Sequence, residues 1–247
     1  MDIHHDALCW LQDNCPFEPG NNIIDIWCVD LRSAKNDHFL HILSQDERQR
    51  ADKYVFPKDR IRFTRTRFAL RLILSQCLKC QAEEIKFHYG EKGRPELAWP
   101  EHKNLNFNLS HSEALALIAV AKNRHIGIDL NAVSEPANWQ AIVKRSFSDA
   151  EQASIAALDK QHQVLGFHQI WTQKEAYTKA LGLGYSYGFQ NFSVLVGLNN
   201  IGLQADANNP AAPDNWTLCG ISPDINHVAA LAYDGSGSPQ IRKWQYA

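Results

Sequence analysis

The chain has 247 residues, 45% of them hydrophobic, and a net charge of −2. That is enough apolar surface for a sizeable core, and room for one large domain or two of ordinary size. A near-neutral balance argues against nucleic acid or membrane as partner, and the longest apolar run, residues 114–121, is far short of the ~20 residues that span a bilayer.

Residues 1–15 carry Asp2, Asp6 and Asp13 and no Lys or Arg, so no secretory signal is expected and the location implied is cytoplasmic. Residues 22–31 (NIIDIWCVDL) are rich in β-branched and aromatic side chains and predict a strand. Ser44 followed by Glu47 has the spacing of a capping box, so a helix starts there, interrupted by Pro57. A second helix is predicted over 59–80, with Phe68, Leu72, Leu74 and Leu78 among its apolar positions. Residues 84–89 predict a short strand, 90–95 a turn, 105–109 an alternating strand and 114–121 a buried one. The second half repeats this order weakly. It has a strand at 125–133, helices at 148–160 and 164–181, and strands at 192–198, 216–221 and 227–233, with an Ala/Asn/Pro-rich loop at 206–214. A repeat near half the chain predicts an α/β (α+β) fold of two similar subdomains, 1–122 and 123–247, arranged as a pseudo-dimer. Ligands favour such an interface.

Charge is unevenly placed. Residues 44–71 hold nine basic groups, Arg48, Arg50, Lys53, Lys58, Arg60, Arg62, Arg65, Arg67 and Arg71, against four acidic ones, a local excess of +5. A basic segment in a neutral chain suits a small polyanionic ligand or an acidic partner, or is simply a solvated helix face. Six cysteines are present. Cys77 and Cys80 form a single C-x-x-C without a second pair at zinc-ligand spacing, which reads as reduced thiols on a helix.

Four motifs carry chemistry. In Trp171-Thr-Gln-Lys174-Glu175-Ala-Tyr177-Thr-Lys179, helical spacing puts Trp171, Glu175 and Lys179 on one face, and the plain alternative is a surface ion pair between Glu175 and Lys179. In Ile126-Gly-Ile-Asp129-Leu-Asn131, a carboxylate on an apolar strand suits a hard cation or caps a turn. In Asn108-Leu-Ser110-His111-Ser112, adjacency of Ser110 and His111 argues against a nucleophile–base pair, while hydroxyls, imidazole and turn amides suit phosphate oxygens. In Gly90-Glu-Lys92-Gly93-Arg94-Pro95, glycines admit close backbone approach and Arg94 can grip phosphate.

In this order, these motifs resemble the Sfp-type 4′-phosphopantetheinyl transferase family over residues 44–198. The resemblance implies two similar α/β subdomains with coenzyme A between them. It implies Mg²⁺ held by Asp129 and Glu175, with Asn131 where the family often has a second acid. Glu175 would help deprotonate the acceptor serine, and Lys179 would stabilise charge on the phosphates. Ser110 and His111 would bind phosphate, Arg94 would lie near the adenosine, and Arg48 or Arg50 would reach the 3′-phosphate, with Arg50 the better match. The implied reaction moves 4′-phosphopantetheine from coenzyme A to a serine of an apo acyl or peptidyl carrier protein, releasing 3′,5′-ADP. A pseudo-dimer completes its own site, so a monomer is expected. The alternatives are a metal-dependent nucleotide phosphohydrolase, with water as acceptor, and a nucleotide-binding scaffold that turns nothing over.

Overall fold

The computed structural model describes residues 11–12, 19–32, 40–98, 104–196, 201–235 and 237–246. Cys9, Cys15 and residues 197–198 of the strand expected at 192–198 lie outside the described residues. Contacts divide the chain into two units, Met1–Asn123 with Pro239–Ala247, and Arg124–Ser238.

In the first unit, β1 (Leu11–Gln12) and β2 (Ile23–Asp30) precede a short helix α1 (Gln45–Ala51) and a long helix α2 (Pro57–Leu78). Pro57 stands at the start of α2, where its missing N–H costs nothing, so it begins this helix rather than breaking one. The strands β3 (Phe87–Tyr89) and β4 (Pro95–Leu97) form a hairpin, followed by β5 (Leu105–Ser112) and β6 (Leu115–Lys122). β5 continues through Ser112, and Ser110, His111 and Ser112 pair with Leu117, Ala116 and Leu115. The amides expected in a turn there are therefore part of a sheet. Leu70, Ile73, Leu74 and Leu78 of α2 pack against Trp27, Val29, Phe107, Ile118 and Val120, which explains why those strands read as apolar.

Sequence order alone places Pro239–Ala247 with the second half, but the strand Gln240–Tyr246, β12, lies parallel to β2. The first unit's sheet runs β1-β12-β2-β6-β5. Asp25 of β2, buried, clamps the added strand. Its carboxylate accepts from Arg242 Nε at 2.7 Å, Arg242 Nη2 at 2.9 Å and Trp244 Nε1 at 2.7 Å.

The second unit runs β7 (Ile126–Ala132), α3 (Trp139–Ser146), α4 (Asp149–Ala156), α5 (Lys160–Leu181), β8 (Phe192–Val194), β9 (Leu203–Asp206), α6 (Ala212–Asn215), β10 (Trp216–Ile221) and β11 (His227–Asp234). Its sheet order is β10-β11-β7 and β8 pairs with β9. Asp206, read from sequence as the start of a loop, ends β9. It is buried and accepts from the hydroxyls of Tyr177 at 2.8 Å and Tyr187 at 2.7 Å.

The sequence repeat is a repeat of topology. In the first unit β6 pairs with both β2 and β5, as in the second β11 pairs with both β7 and β10. Each has a short capped helix, a 22-residue helix and a small hairpin in between. The capping box is repeated too, and each time its glutamate has a second role. Glu47 Oε2 accepts from Ser44 N at 3.0 Å and from Arg71 Nε of α2 at 2.7 Å. Glu151 Oε2 accepts from Ser148 N at 2.8 Å, while Oε1 meets Lys174 Nζ of α5 at 2.9 Å. All four charged side chains are at most 1% exposed. A charge so deep is tolerated because its partner and its hydrogen bonds replace water.

Candidate functional site

The second unit assembles the acidic residues. β7 and α5 meet backbone to backbone at Gly127, where an added Cβ would lie 2.1 Å from the Ala176 carbonyl oxygen. That contact brings the helix face bearing Glu175 and Lys179 to the strand bearing Asp129. Lys179 Nζ donates to Asp129 Oδ1 at 2.5 Å and to the Ile128 carbonyl at 3.2 Å. Asn131, two residues along the strand and so on the same face, donates through Nδ2 to Asp129 Oδ2 at 2.9 Å. Both oxygens of a buried carboxylate are thus oriented. Burial first, then the negative charge of Asp129, pushes the Glu175 carboxyl above its usual range, and Lys179 pulls it back. The helix ends at Leu181 with Gly182 at φ +74°, a left-handed cap that suits glycine.

The rest of this motif is structural. Trp171 packs on Phe189 with ring centroids 5.3 Å apart and on Phe147, Phe167 and Tyr185. Lys174 Nζ donates to the carbonyls of Phe189 at 2.7 Å and Phe192 at 2.5 Å besides meeting Glu151. Burial pulls its pKa down to about 8, against the opposing charge of Glu151.

Among the described residues there is no cluster of three or more His, Cys, Asp and Glu side chains disposed to hold a metal. Asp129 and Glu175 nevertheless fit a hard cation that takes its remaining ligands from water and substrate phosphates. Both are oxygen donors, and the charge of Asp129 adds to the burial that holds the Glu175 carboxyl above its usual range. Asn131 adds an amide oxygen.

The first unit assembles the basic residues. A cavity of about 180 Å³ is lined by Arg50, Phe63, Arg67, Gly93, Pro95 and His111, among others. Arg50 is exposed, with its guanidinium carbon 5.7 Å from the Phe63 ring centroid and 5.8 Å from that of Tyr89. Alternation along β5 leaves Ser110 buried and His111 exposed. The 90–95 turn is closed by Gly93 N to the Gly90 carbonyl at 2.8 Å, with Gly93 at φ +76°. Arg94 is half-buried beside it, and burial lowers its pKa. Arg48 donates to the Leu40 carbonyl at 3.4 Å. Arg50 and His111 therefore share the cavity, whereas Arg48, Arg94 and Ser110 are not among its described lining residues.

The basic segment is not a uniform solvated face. Arg60 pairs with Asp52 and Arg62 with Asp59, while Arg67 and Arg71 turn inward. Sequence reading singled out neither of these two for the site. The signal is their i, i+4 spacing on the apolar side of α2, among Phe63, Leu70 and Leu74. Cys77 and Cys80 are free thiols. The Cys77 S–H donates to the Ile73 carbonyl at 3.1 Å and burial pushes its pKa well up, so it is no ready nucleophile.

Carboxylates beside a lysine, and arginines around a cavity, are equipment for an enzyme acting on phosphates. Comparison with known proteins narrows that class. Residues 125–231 match the model of the 4′-phosphopantetheinyl transferase superfamily, and residues 32–123 match that of the 4′-phosphopantetheinyl transferase N-terminal region. The chain is 37% identical over 230 residues to the 4′-phosphopantetheinyl transferase HetI of Nostoc sp., covering 90% of this chain and 92% of that protein. It is 30% identical over 216 residues to a phosphopantetheinyl transferase of Thraustochytrium sp., covering 81% and 74%. It is 29% identical over 164 residues to the 4′-phosphopantetheinyl transferase Sfp of Bacillus subtilis, covering 66% and 71%. The chain belongs to the 4′-phosphopantetheinyl transferase superfamily and is a transferase of that type, using coenzyme A and acting on carrier proteins. Among the described residues no helix is long and apolar enough to cross a membrane.

Proposed function

We propose that this chain transfers 4′-phosphopantetheine from coenzyme A to a serine of an apo acyl or peptidyl carrier protein, with Mg²⁺, and releases 3′,5′-ADP. The observation that carries the residue assignment is the meeting of Asp129, Asn131, Glu175 and Lys179 around one oriented carboxylate. Asp129 and Glu175 would hold the Mg²⁺, which when bound would neutralise phosphate charge. Asn131 orients Asp129 through its amide nitrogen and leaves its oxygen as the atom able to meet the cation or a water on it.

The serine oxygen forms a bond to the phosphorus bearing the pantetheine arm, and the bond from that phosphorus to the bridging oxygen breaks. The leaving 3′,5′-ADP keeps the electron pair. Glu175 takes the serine proton, directly or through water. Lys179 would stabilise the charge that grows on the leaving phosphate. In the first unit Arg50 and His111 bind the 3′-phosphate end, with Ser110, Arg94 and Arg48 as lesser contacts. The protein acts as a cytoplasmic monomer, in keeping with free thiols at Cys77 and Cys80.

The test is intact-mass spectrometry of several apo carriers after incubation with coenzyme A and Mg²⁺. The expected result is one phosphopantetheine added to a serine. Breakdown of coenzyme A at equal rate with and without carrier, and no carrier loaded, would make the protein a phosphohydrolase instead.

A further inference from the structure

Arg67 stands in the middle of α2 and is 3% exposed. Its charge has only part of a partner. Glu47 is wholly buried, but Arg71 takes its Oε2 at 2.7 Å and anchors itself on the carbonyls of Ala82 at 2.7 Å and Ile85 at 3.0 Å. Arg67 Nε is 3.6 Å from Glu47 Oε1, beyond hydrogen-bond reach. Nη2 donates to the Tyr89 hydroxyl at 2.9 Å. Nη1 is buried and donates to nothing among the described residues. The rings of Phe63, Phe87 and Tyr89 surround the guanidinium at 5.3 to 5.6 Å. Arg50 stands over two of the same rings. Two guanidinium groups, Arg67 and Arg71, thus share one buried carboxylate, and Arg67 lines one cavity with Arg50 and His111. A buried N–H without an acceptor is rare in a native protein, and a guanidinium fork matches phosphate oxygens.

We infer that Arg67 is the residue by which this chain selects a phosphomonoester dianion, donating from Nη1 to the anion in the cavity while Glu47, Arg71 and Tyr89 hold its guanidinium. The inference rests on coenzyme A being the substrate, because the 3′-phosphate is that molecule's only phosphomonoester. Arg67 and Arg50 divide the work. Exposed Arg50 attracts the anion through solvent, where salt screens it. Buried Arg67 supplies a fixed donor that salt reaches poorly. Selectivity then resides in the helix core rather than in the exposed basic segment.

The experiment is calorimetric binding of coenzyme A and of dephospho-coenzyme A, which lacks only the 3′-phosphate, at low and high salt. The parent is expected to prefer coenzyme A by tenfold or more at high salt. Arg67→Gln should bring that preference within about threefold of unity while leaving the dephospho-coenzyme A affinity within about twofold. Arg67→Lys, a point charge without the fork, should keep a preference at low salt and lose it at high salt. An unchanged preference in Arg67→Gln, or equal losses for both ligands, overturns the inference and makes Arg67 a core residue only.

Should Arg67→Gln fail to fold, Arg50→Gln, which leaves Arg67 in place, decides by ³¹P NMR. The 3′-phosphorus of bound 3′,5′-ADP should titrate at least one pH unit below the free nucleotide, and a titration like that of the free nucleotide overturns the proposal. A parent that loads carriers yet binds both ligands equally also overturns it and leaves the transferase reading intact. A parent that prefers coenzyme A but loads no carrier sinks that reading and not this one.

Discussion

Gly127→Ala tests whether the backbone contact between β7 and α5 sets the catalytic geometry. The new methyl carbon would lie 2.1 Å from the Ala176 carbonyl oxygen and 2.4 Å from the Ala180 nitrogen, where ordinary contact begins at 3.4 Å. The strand and helix must therefore separate by about 1.3 Å, since backbone atoms cannot rotate away as a side chain would. Ala176 follows Glu175 and Ala180 follows Lys179, so the displacement falls on the two residues facing Asp129. There is no slack nearby, because Ile126, Ile128, Ala176, Tyr177 and Ala180 are at most 2% exposed. Overpacking of this kind costs about 1–3 kcal/mol, and a backbone clash belongs at the upper end. For a chain of this length that is a melting-temperature loss of roughly 6–10 °C. A misplacement near 1 Å lowers the rate by about 100-fold. The assay is single-turnover carrier loading followed by intact mass, well below the melting point, with a thermal melt on the same sample. A melting temperature within a degree or two of the parent and a rate within threefold would refute the reasoning.

Glu175→Gln should abolish loading and yet stabilise the metal-free protein. Its carboxyl is raised above 4.5, so the charged form is disfavoured on folding, a penalty absent at low pH that sets in as pH rises past 4.5 and is complete above the folded pKa. Melts from pH 5 to pH 8 should show the variant gaining on the parent as pH rises, and a parent more stable at pH 8 contradicts this. Lys179→Ala should lower kcat more than it raises KM, because the lysine acts on charge that develops in the transition state; an effect on KM alone marks an ordinary binding group. Asn131→Ala should cost far less activity than Asp129→Ala in a Mg²⁺ titration, since it removes an orienting donor and not a charge, and equal losses would make Asn131 a principal ligand. Glu151→Gln leaves Lys174 buried without its carboxylate and should cost about 3–5 kcal/mol, whereas Glu151→Leu with Lys174→Met should recover much of it; chemical denaturation compares them, and a single variant as stable as the double one would show that the pair is not holding α5.

The order and kind of most larger elements could be read along the chain, because the signals that specify them act over a few residues. The apolar, β-branched runs of β2 and β6 and the spacing of Ser44 and Ser148 from Glu47 and Glu151 are local facts with local consequences. So is the succession of motifs holding Asp129, Glu175 and Lys179. Short pieces such as β4, β9 and α6 carry too few residues to show a period and were not expected. What no local signal could convey is the partner of a charge. Lys179 stands one turn after Glu175, yet the structure sets its ammonium against Asp129, 50 residues away. Trp171 shares that helical face and is drawn into an aromatic core instead. Arg67 and Arg71 belong to a segment that reads as a basic surface, and they become its interior because Glu47 arrives beneath them. β12 pairs with β2 across 217 residues, and Asp25 accepts the hydrogen bonds that hold it there. Hydrogen bonds within a turn of helix are determined by neighbours in sequence. Desolvated charges take whichever partner the packing of sheets and helices delivers, and that delivery is decided only when the whole chain has closed on itself.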